Sequence, residues 1–264
     1  MSDDNAKSRK RKFYRKQHYT NNSNDKKPKN SRRRCLEVGD KGFILTCQNG
    51  NESRAVREAY DLLNEYANQE ELDKAEDASD DQDLEKALQR ECDDLKSDRE
   101  NSQKLFQSCD TGVKNNCFIS SKMDKRDPSS FLHEIFVDLK SKNVSKCRFI
   151  QRILPVDLTF KPYDKEFLEA CEKLVEKMDD EEFKSYSVQF KQKNCSHLTK
   201  EMAYEYVAEC LRSKFKDLNL KIDLENADRT ILIEILGRVG CMSVLKDYNT
   251  FKKYNVHQIV EEVK

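Results

Sequence analysis

The stretch 42–63, GFILTCQNGNESRAVREAYDLL, changes period in mid-course. Gly42 to Cys47 is a short continuous apolar run bounded by Gln48-Asn49-Gly50-Asn51, which reads as a buried strand and a turn that also starts a helix. Beyond the turn, Val56, Ala59, Tyr60, Leu63 and Ala67 recur at helical spacing and predict a helix of about four turns. A strand feeding an amphipathic helix opens an α+β unit.

Working outward, a break is expected from Gln69 to Gln82. Leu84, Leu88, Cys92 and Leu95 then form a narrow apolar stripe on a very charged helix, whose default role is packing and whose alternative is docking a partner helix. Leu105-Phe106 and Cys117-Phe118-Ile119 read as strands around an Asp110-Thr111-Gly112 turn. Pro128 and Ser129 open a helix that buries Phe131, Leu132, Ile135, Phe136 and Leu139, and Arg148 to Leu154 reads as a strand stopping at Pro155. Strand, helix, strand, strand, helix, strand is the ferredoxin-like order.

A second unit follows. A helix from Tyr163 to Met178 buries Phe167, Leu168, Cys171, Leu174 and Val175. Tyr186 to Lys193 alternates as a half-buried strand, and Thr199 starts a helix burying Ala203, Tyr206, Val207, Cys210 and Leu211. Thr230–Leu236 and Cys241–Leu245 are strands, and Asn255 caps a short final helix through Val263. The expected organisation is a disordered basic tail (1–38), a first domain (39–145) with an acidic insertion at about 68–102, a second domain (146–254) and a C-terminal helix (255–264).

Composition bounds the function. Of 264 residues, 37% are charged and only 36% hydrophobic, which is apolar-poor for one compact globule. The longest stretch free of Lys, Arg, Asp and Glu is Gly42–Asn51, about half a bilayer span, and the N-terminus has no apolar signal region. A membrane or secreted protein is therefore not expected. The ten cysteines show no C-x-x-C spacing and sit mostly in apolar runs, so reduced core thiols are expected.

The 49 Lys and Arg balance 49 Asp and Glu, but unevenly along the chain. Residues 1–34 carry thirteen basic residues against three Asp, in the clusters Arg9-Lys10-Arg11-Lys12, Lys26-Lys27-Pro28-Lys29 and Arg32-Arg33-Arg34. Residues 65–100 carry fifteen acids against five bases. The tail suits nuclear import or phosphate attraction, with Phe13, Tyr14 and Tyr19 able to stack on bases; the plain alternative is a solubilising segment that associates with the acidic one. Nuclear localisation, with the nucleolus as compartment, is the expectation. Ser79 and Ser97 stand among acids and suit an acid-directed kinase.

Enzyme signatures are sparse. Six glycines form neither a dinucleotide nor a P-loop motif. His18, His133, His197 and His257 are scattered, and Cys195 with His197 has no second ligand pair nearby, so no catalytic set, metal or cofactor is expected. Basic residues near strand ends are the better lead: Arg148 and Arg152, then Lys191, Lys193, Asn194 and Lys200, then Lys246, Tyr248, Lys252 and Lys253. Converging, they would make a phosphate-binding surface with Tyr248 as a stacking platform. The competing reading has Arg148 and Arg152 internal, bridging to acids such as Asp157 or Glu234.

Several segments in series resemble the THUMP domain-containing protein 1 family of tRNA acetyltransferase adaptors. They are GFILTC (42–47), AVREAYDLL (55–63), LEKAL (84–88), NNCFI (115–119), RFIQRILP (148–155), KNCSH (193–197) and VLKDY (244–248). The resemblance implies an N-terminal ferredoxin-like domain followed by an α/β THUMP domain that binds tRNA. It implies a non-catalytic adaptor presenting serine and leucine tRNAs to a separate RNA cytidine acetyltransferase, which uses acetyl-CoA and ATP to make N4-acetylcytidine in the D-arm. Two alternatives stand beside it. One is a general structured-RNA or pre-ribosomal RNA-binding protein. The other is a subunit with its own modifying activity, disfavoured because the residues before Gly39 and after Asn255 leave little room for a catalytic domain.

Overall fold

The computed structural model describes residues 34–76 (side chains to Asn68), 105–123, 126–178, 183–216 and 219–260. The first sheet is built from β1 (Gly42–Cys47), β2 (Phe106–Cys109), β3 (Asn116–Ser121) and β4 (Ile150–Val156), in the order β2-β3-β1-β4. Every neighbouring pair is antiparallel. Helices α1 (Glu52–Glu76) and α2 (Pro128–Lys142) pack against it. As the second central strand beside β3, β1 is buried along nearly its whole length, which is why its sequence is a continuous apolar run rather than an alternating one. Gly42 is required where β1 meets β3: a Cβ there would stand 2.0 Å from the Ile119 carbonyl oxygen, at φ 152°.

Two local devices fix the ends of these elements. The Glu58 carboxylate on α1 accepts the N–H groups of Arg148, Phe149 and Ile150 at 3.0, 2.8 and 3.3 Å, setting the start of β4. Pro128 occupies the first turn of α2, and Asp157 Oδ1 accepts the Ser129 N–H there at 2.9 Å.

The second sheet contains β5 (Leu158–Phe160), β6 (Ser185–Lys193), β7 (Lys221–Ile222), β8 (Arg229–Leu236) and β9 (Val239–Leu245), in the order β5-β9-β8-β6-β7. Strand β6 runs parallel to β7 and β8, whereas the β8–β9 hairpin and the β5–β9 pair are antiparallel. Helices α3 (Asp164–Glu176) and α4 (Lys200–Lys214) pack on it. The β8 segment TILIEIL divides by the period of two. Ile231, Ile233 and Ile235 join the core under α3 and α4, while Leu232 and Leu236 join the core of the first sheet. Only Asp157 separates β4 from β5, and Phe136 of α2 meets Phe251 and Tyr254 at 5.7 and 4.7 Å. The second sheet thus lies between two apolar cores, one shared with the first sheet and one under α3 and α4.

Several expectations are corrected. Strand β4 runs through Pro155 because β4 is the edge of its sheet. Its outer side meets residues 254–256, with Ile153 N–H on the Tyr254 carbonyl, and Pro155 faces the same way with no N–H to satisfy. The boundary at 145/146 would move β4 to the second domain, but β4 hydrogen-bonds to β1 and completes the first sheet. Helix α1 continues through the expected break at Gln69 to Glu76. Residues 256–260 form turns rather than a helix, although Asn255 Oδ1 does accept the N–H groups of His257 and Gln258. The short strands β5 and β7 carried too little periodic signal to be expected.

The tail also ends earlier than expected. Arg34 is ion-paired with Asp40, Cys35 bridges Asp110, and Leu36 is buried, so the chain is a fixed strap from Arg34 onward. The rest of the basic tail, the Leu84–Leu95 stripe, Ser79 and Ser97 lie outside the described residues. Among the described cysteines, seven of nine are buried and all are free thiols.

Candidate functional site

Four strands and two helices meet at one end of the second sheet. Strand β6 ends at Lys193, whose carbonyl accepts the Gly237 N–H at 2.9 Å, bringing the Gly237-Arg238 hairpin turn beside it. Strand β5 ends at Phe160, directly opposite Gly240 of β9. Helices α3 and α4 both begin at this end, α4 with Thr199 Oγ1 accepting the Met202 N–H at 3.3 Å. The carboxyl ends of parallel strands and the amino ends of helices together favour a negatively charged ligand.

The side chains agree with that polarity. Lys161, Lys165, Lys200 and Arg238 are exposed here, with Lys193 half-buried, against Asp164, Glu166 and Glu201. Asn194, in the left-handed region at φ 56°, turns the chain out of β6 and is itself exposed. Tyr163 and His197 lie together at this end, ring centroids 5.2 Å apart. Lys200 Nζ lies 5.3 Å from the centre of the Tyr204 ring, one helical turn further along α4.

Lys191 and Lys193 have structural partners. Lys191 Nζ is 3.2 Å from Glu234 Oε1, its cross-strand neighbour, and Glu234 is only 3% exposed. Lys193 Nζ donates to Asn116 Oδ1 of β3 at 2.7 Å, which joins the site to the first sheet. Asn116 pairs with Thr46, and Thr46 with Arg152 on its other side, so Arg152 lies two strands, about 10 Å, from Asn116. Arg148 is exposed with its guanidinium over the Phe149 ring. Glu234 is paired with Lys191 and Asp157 holds the start of α2, and among the described residues neither is bridged to Arg148 or Arg152 as the competing reading had it.

The third expected cluster is elsewhere. Leu236 is opposite Val239, whereas Thr230 is opposite Leu245, so Lys246 and the residues after it leave the sheet at its other end, about 20 Å away. Tyr248 is 2% exposed, its ring beside that of Tyr254, and burial pushes its hydroxyl pKa to about 12. It has no face to offer a base, which corrects the expected stacking platform. Lys252 and Lys253, in left-handed turn conformations, accompany this far end. A cleft of about 350 Å³ also opens there, lined by Ser129, His133, Asp157, Lys177, Arg229 and Lys246. Burial lifts the Asp157 carboxyl in it to about 6.

Lys161, Tyr163, Lys165 and Arg238 were missed in the sequence. The available signal was weak: a lone aromatic and single cations at loop ends, which acquire meaning only once the strand order gathers them. Among the described residues no three His, Cys, Asp or Glu side chains form a metal-ligand group, and no helix is long and apolar enough to cross a membrane.

Residues 164–245, from the start of α3 to the end of β9, match the THUMP domain, so this is a THUMP-domain protein. Mouse THUMP domain-containing protein 1 is 34% identical over 245 residues, 88% of this chain and 67% of the mouse protein. The yeast (Saccharomyces cerevisiae) protein tRNA acetyltransferase TAN1 is 25% identical over 256 residues, 86% of each chain. The solution structure of the THUMP domain of THUMP domain-containing protein 1 is 30% identical and covers 31% of this chain and 87% of that one, with a TM-score of 0.26. The chain belongs to the THUMP domain-containing protein 1 family and spans about two thirds of the length of its mouse relative.

Proposed function

We propose that this chain is a non-catalytic tRNA-binding adaptor that presents serine and leucine tRNAs to an RNA cytidine acetyltransferase for N4-acetylcytidine formation in the D-arm. The observation that carries the RNA-binding part is the basic end of the second sheet, where Lys161, Lys165, Lys193, Lys200 and Arg238 surround two helix amino ends. Such a surface attracts phosphates with a steep salt dependence. It suits recognition by shape, since the major groove of an A-form helix is closed to side chains. The tRNA and acetyltransferase parts draw on the family and on the name of the yeast relative. In this reading acetyl-CoA and ATP belong to the partner enzyme, and the adaptor contributes positioning of the cytidine.

The first unit is read as a ferredoxin-like domain, a reading supported by the antiparallel order β2-β3-β1-β4 with its two crossover helices. The basic tail supports a nuclear, nucleolar setting.

Deleting the gene and quantifying N4-acetylcytidine by mass spectrometry in purified serine and leucine tRNAs tests the adaptor role, with ribosomal RNA as the internal control. Loss from tRNA with ribosomal RNA unchanged is the expected result. Intact tRNA acetylation contradicts it and favours a general structured-RNA binder.

A further inference from the structure

Strand β6 is nine residues long, but on its outer side β7 pairs with it only at Ser185 and Tyr186. The Lys184 and Tyr186 carbonyls accept the N–H groups of Lys221 and Asp223 at 2.9 and 3.0 Å, so the even-numbered residues of β6 turn their backbone groups outward. Beyond Asp223 the chain is led away from β6. Asp223 Oδ1 accepts the N–H groups of Glu225 and Asn226 at 2.8 and 2.9 Å, and Asn249 Nδ2 donates to the Leu224 and Glu225 carbonyls at 3.3 and 2.7 Å. The outward N–H and C=O groups of Val188, Phe190 and Gln192 therefore have no strand beside them among the described residues, over about 13 Å. Ile222 and Leu224, where β7 departs, are 68% and 67% exposed. Lys184, Lys191, Lys193 and Lys221 lie along this edge. Of the acids beside them, Glu234 is paired with Lys191, and Asp223 and Asp228 are taken up by backbone N–H groups.

We infer that an extended acidic segment of the acetyltransferase partner adds as a sixth strand to the open edge of β6, its backbone pairing with Val188, Phe190 and Gln192. The inference rests on the adaptor reading and names the surface that holds the enzyme. Strand addition takes its affinity from main-chain hydrogen bonds and its specificity from alternate side chains. Lysines on an open edge keep like edges apart. They repel a second copy of this chain and attract a strand that carries Asp or Glu. Ile222 and Leu224 supply the apolar contact where the incoming strand meets the end of β7. Lys193, at the carboxyl end of the same strand, is only about 10 Å from Phe190, so an enzyme held here stands beside the basic surface. That proximity is what presenting an RNA requires.

The full-length chain and the purified RNA cytidine acetyltransferase test this, with Gln192→Pro as the blocking variant. Gln192 is exposed and its N–H faces outward, so proline there removes a bond open only to a partner and spares the pairing with β8. The variant should bind the enzyme about 10-fold more weakly, the loss of one or two hydrogen bonds, while melting temperature and tRNA affinity stay at wild-type values. Ile222→Ser combined with Leu224→Ser should weaken enzyme binding as well. In wild type, the Val188, Phe190 and Gln192 amides should exchange hydrogen faster than those of Ser187, Gln189 and Lys191, and should slow when the enzyme is added. The exchange measurement decides the matter by itself if the proline variant does not fold. Undiminished enzyme affinity in Gln192→Pro, or no slowing of exchange, would overturn the edge while leaving the adaptor reading intact. A fall in tRNA affinity as large as the fall in enzyme affinity would also overturn it and assign the edge to RNA. Failure of the enzyme to bind wild type would remove the adaptor reading itself, and the edge with it.

Discussion

Lys193 Nζ, at the last residue of β6, donates to Asn116 Oδ1, at the first residue of β3, across 2.7 Å. The two sheets are thereby joined at the edge of the basic surface. The other end of the Asn116 amide is also engaged, its Nδ2 donating to the Lys114 carbonyl at 2.7 Å. Asn116→Ala removes both bonds at a position only 6% exposed, and should cost about 1–3 kcal/mol in urea unfolding. A stability equal to wild type would show that the link contributes nothing.

Lys191 is tied into the fold by its ion pair with Glu234. Removing one partner of a fully buried pair costs about 3–5 kcal/mol. The Lys191 side chain is 41% exposed, so the loss on Lys191→Ala should be smaller, about 1–3 kcal/mol. Replacing both residues together, Lys191→Met with Glu234→Leu, should recover most of it, because neither charge is then left unpaired. A double variant no better than Lys191→Ala contradicts this. Lys191→Glu, which would stand beside Glu234, is a poor probe of RNA binding for the same reason.

Asp157 makes stability depend on pH. Burial raises its carboxyl from the ordinary 3.8 to about 6, outweighing the Ser129 hydrogen bonds that favour the charged form. Between those values the folded state holds a proton that the unfolded chain has released. The contribution of Asp157 is therefore fully present below about pH 4 and is lost as pH rises through about 6. Relative to Asp157→Asn, wild type should gain about 2 kcal/mol between pH 7 and pH 4. Parallel stability curves for the two proteins would contradict the assignment.

Gly240 supports the site from beneath. A Cβ there would lie 2.2 Å from the Phe160 ring, two residues from Pro162 in sequence. Gly240→Ala should displace that ring at a cost of about 1–3 kcal/mol and disturb the Lys161–Tyr163 loop. Thermal unfolding together with RNA affinity reads both effects. An unchanged melting temperature would mean that the ring moves aside freely.

Thiol reactivity should follow burial. Burial pushes Cys117 and Cys147 to about 12, and also raises Cys171 and Cys241, Cys171 chiefly through the adjacent Cys210 thiol. Exposed Cys35 and half-exposed Cys195 should therefore be the first of the described cysteines to react with a disulfide reagent in the native protein. Peptide mapping that finds Cys117 or Cys147 modified as fast would contradict the packing.

Much of this architecture is legible in the chain because the long elements carry strong periods. GFILTC, PSSFLHEIFVDL and TILIEIL are strands and a helix close to where their apolar patterns place them. Two- and three-residue strands have too few residues to show a period, so β5 and β7 stayed hidden. The site is harder, since a cation's partner depends on register. Nothing local says that Lys191 faces Glu234, that Lys246 leaves the sheet about 20 Å from Lys193, or that Tyr248 turns inward beside Tyr254. Tyr163 and His197 are 34 positions apart in sequence and meet only because α3 and α4 begin at the same end of one sheet.

The most direct test of the account is the salt dependence of tRNA affinity for two triple-alanine variants of the full chain. One replaces Lys161, Lys200 and Arg238 at the carboxyl end of β6 and β8, and the other replaces Lys246, Lys252 and Lys253 at the far end. The first should weaken binding and reduce the slope of log K against log salt by about 2–3, close to one unit per lost phosphate contact, while the second should match wild type. The reverse pattern, or no change in the first variant, would contradict the placement of the RNA surface.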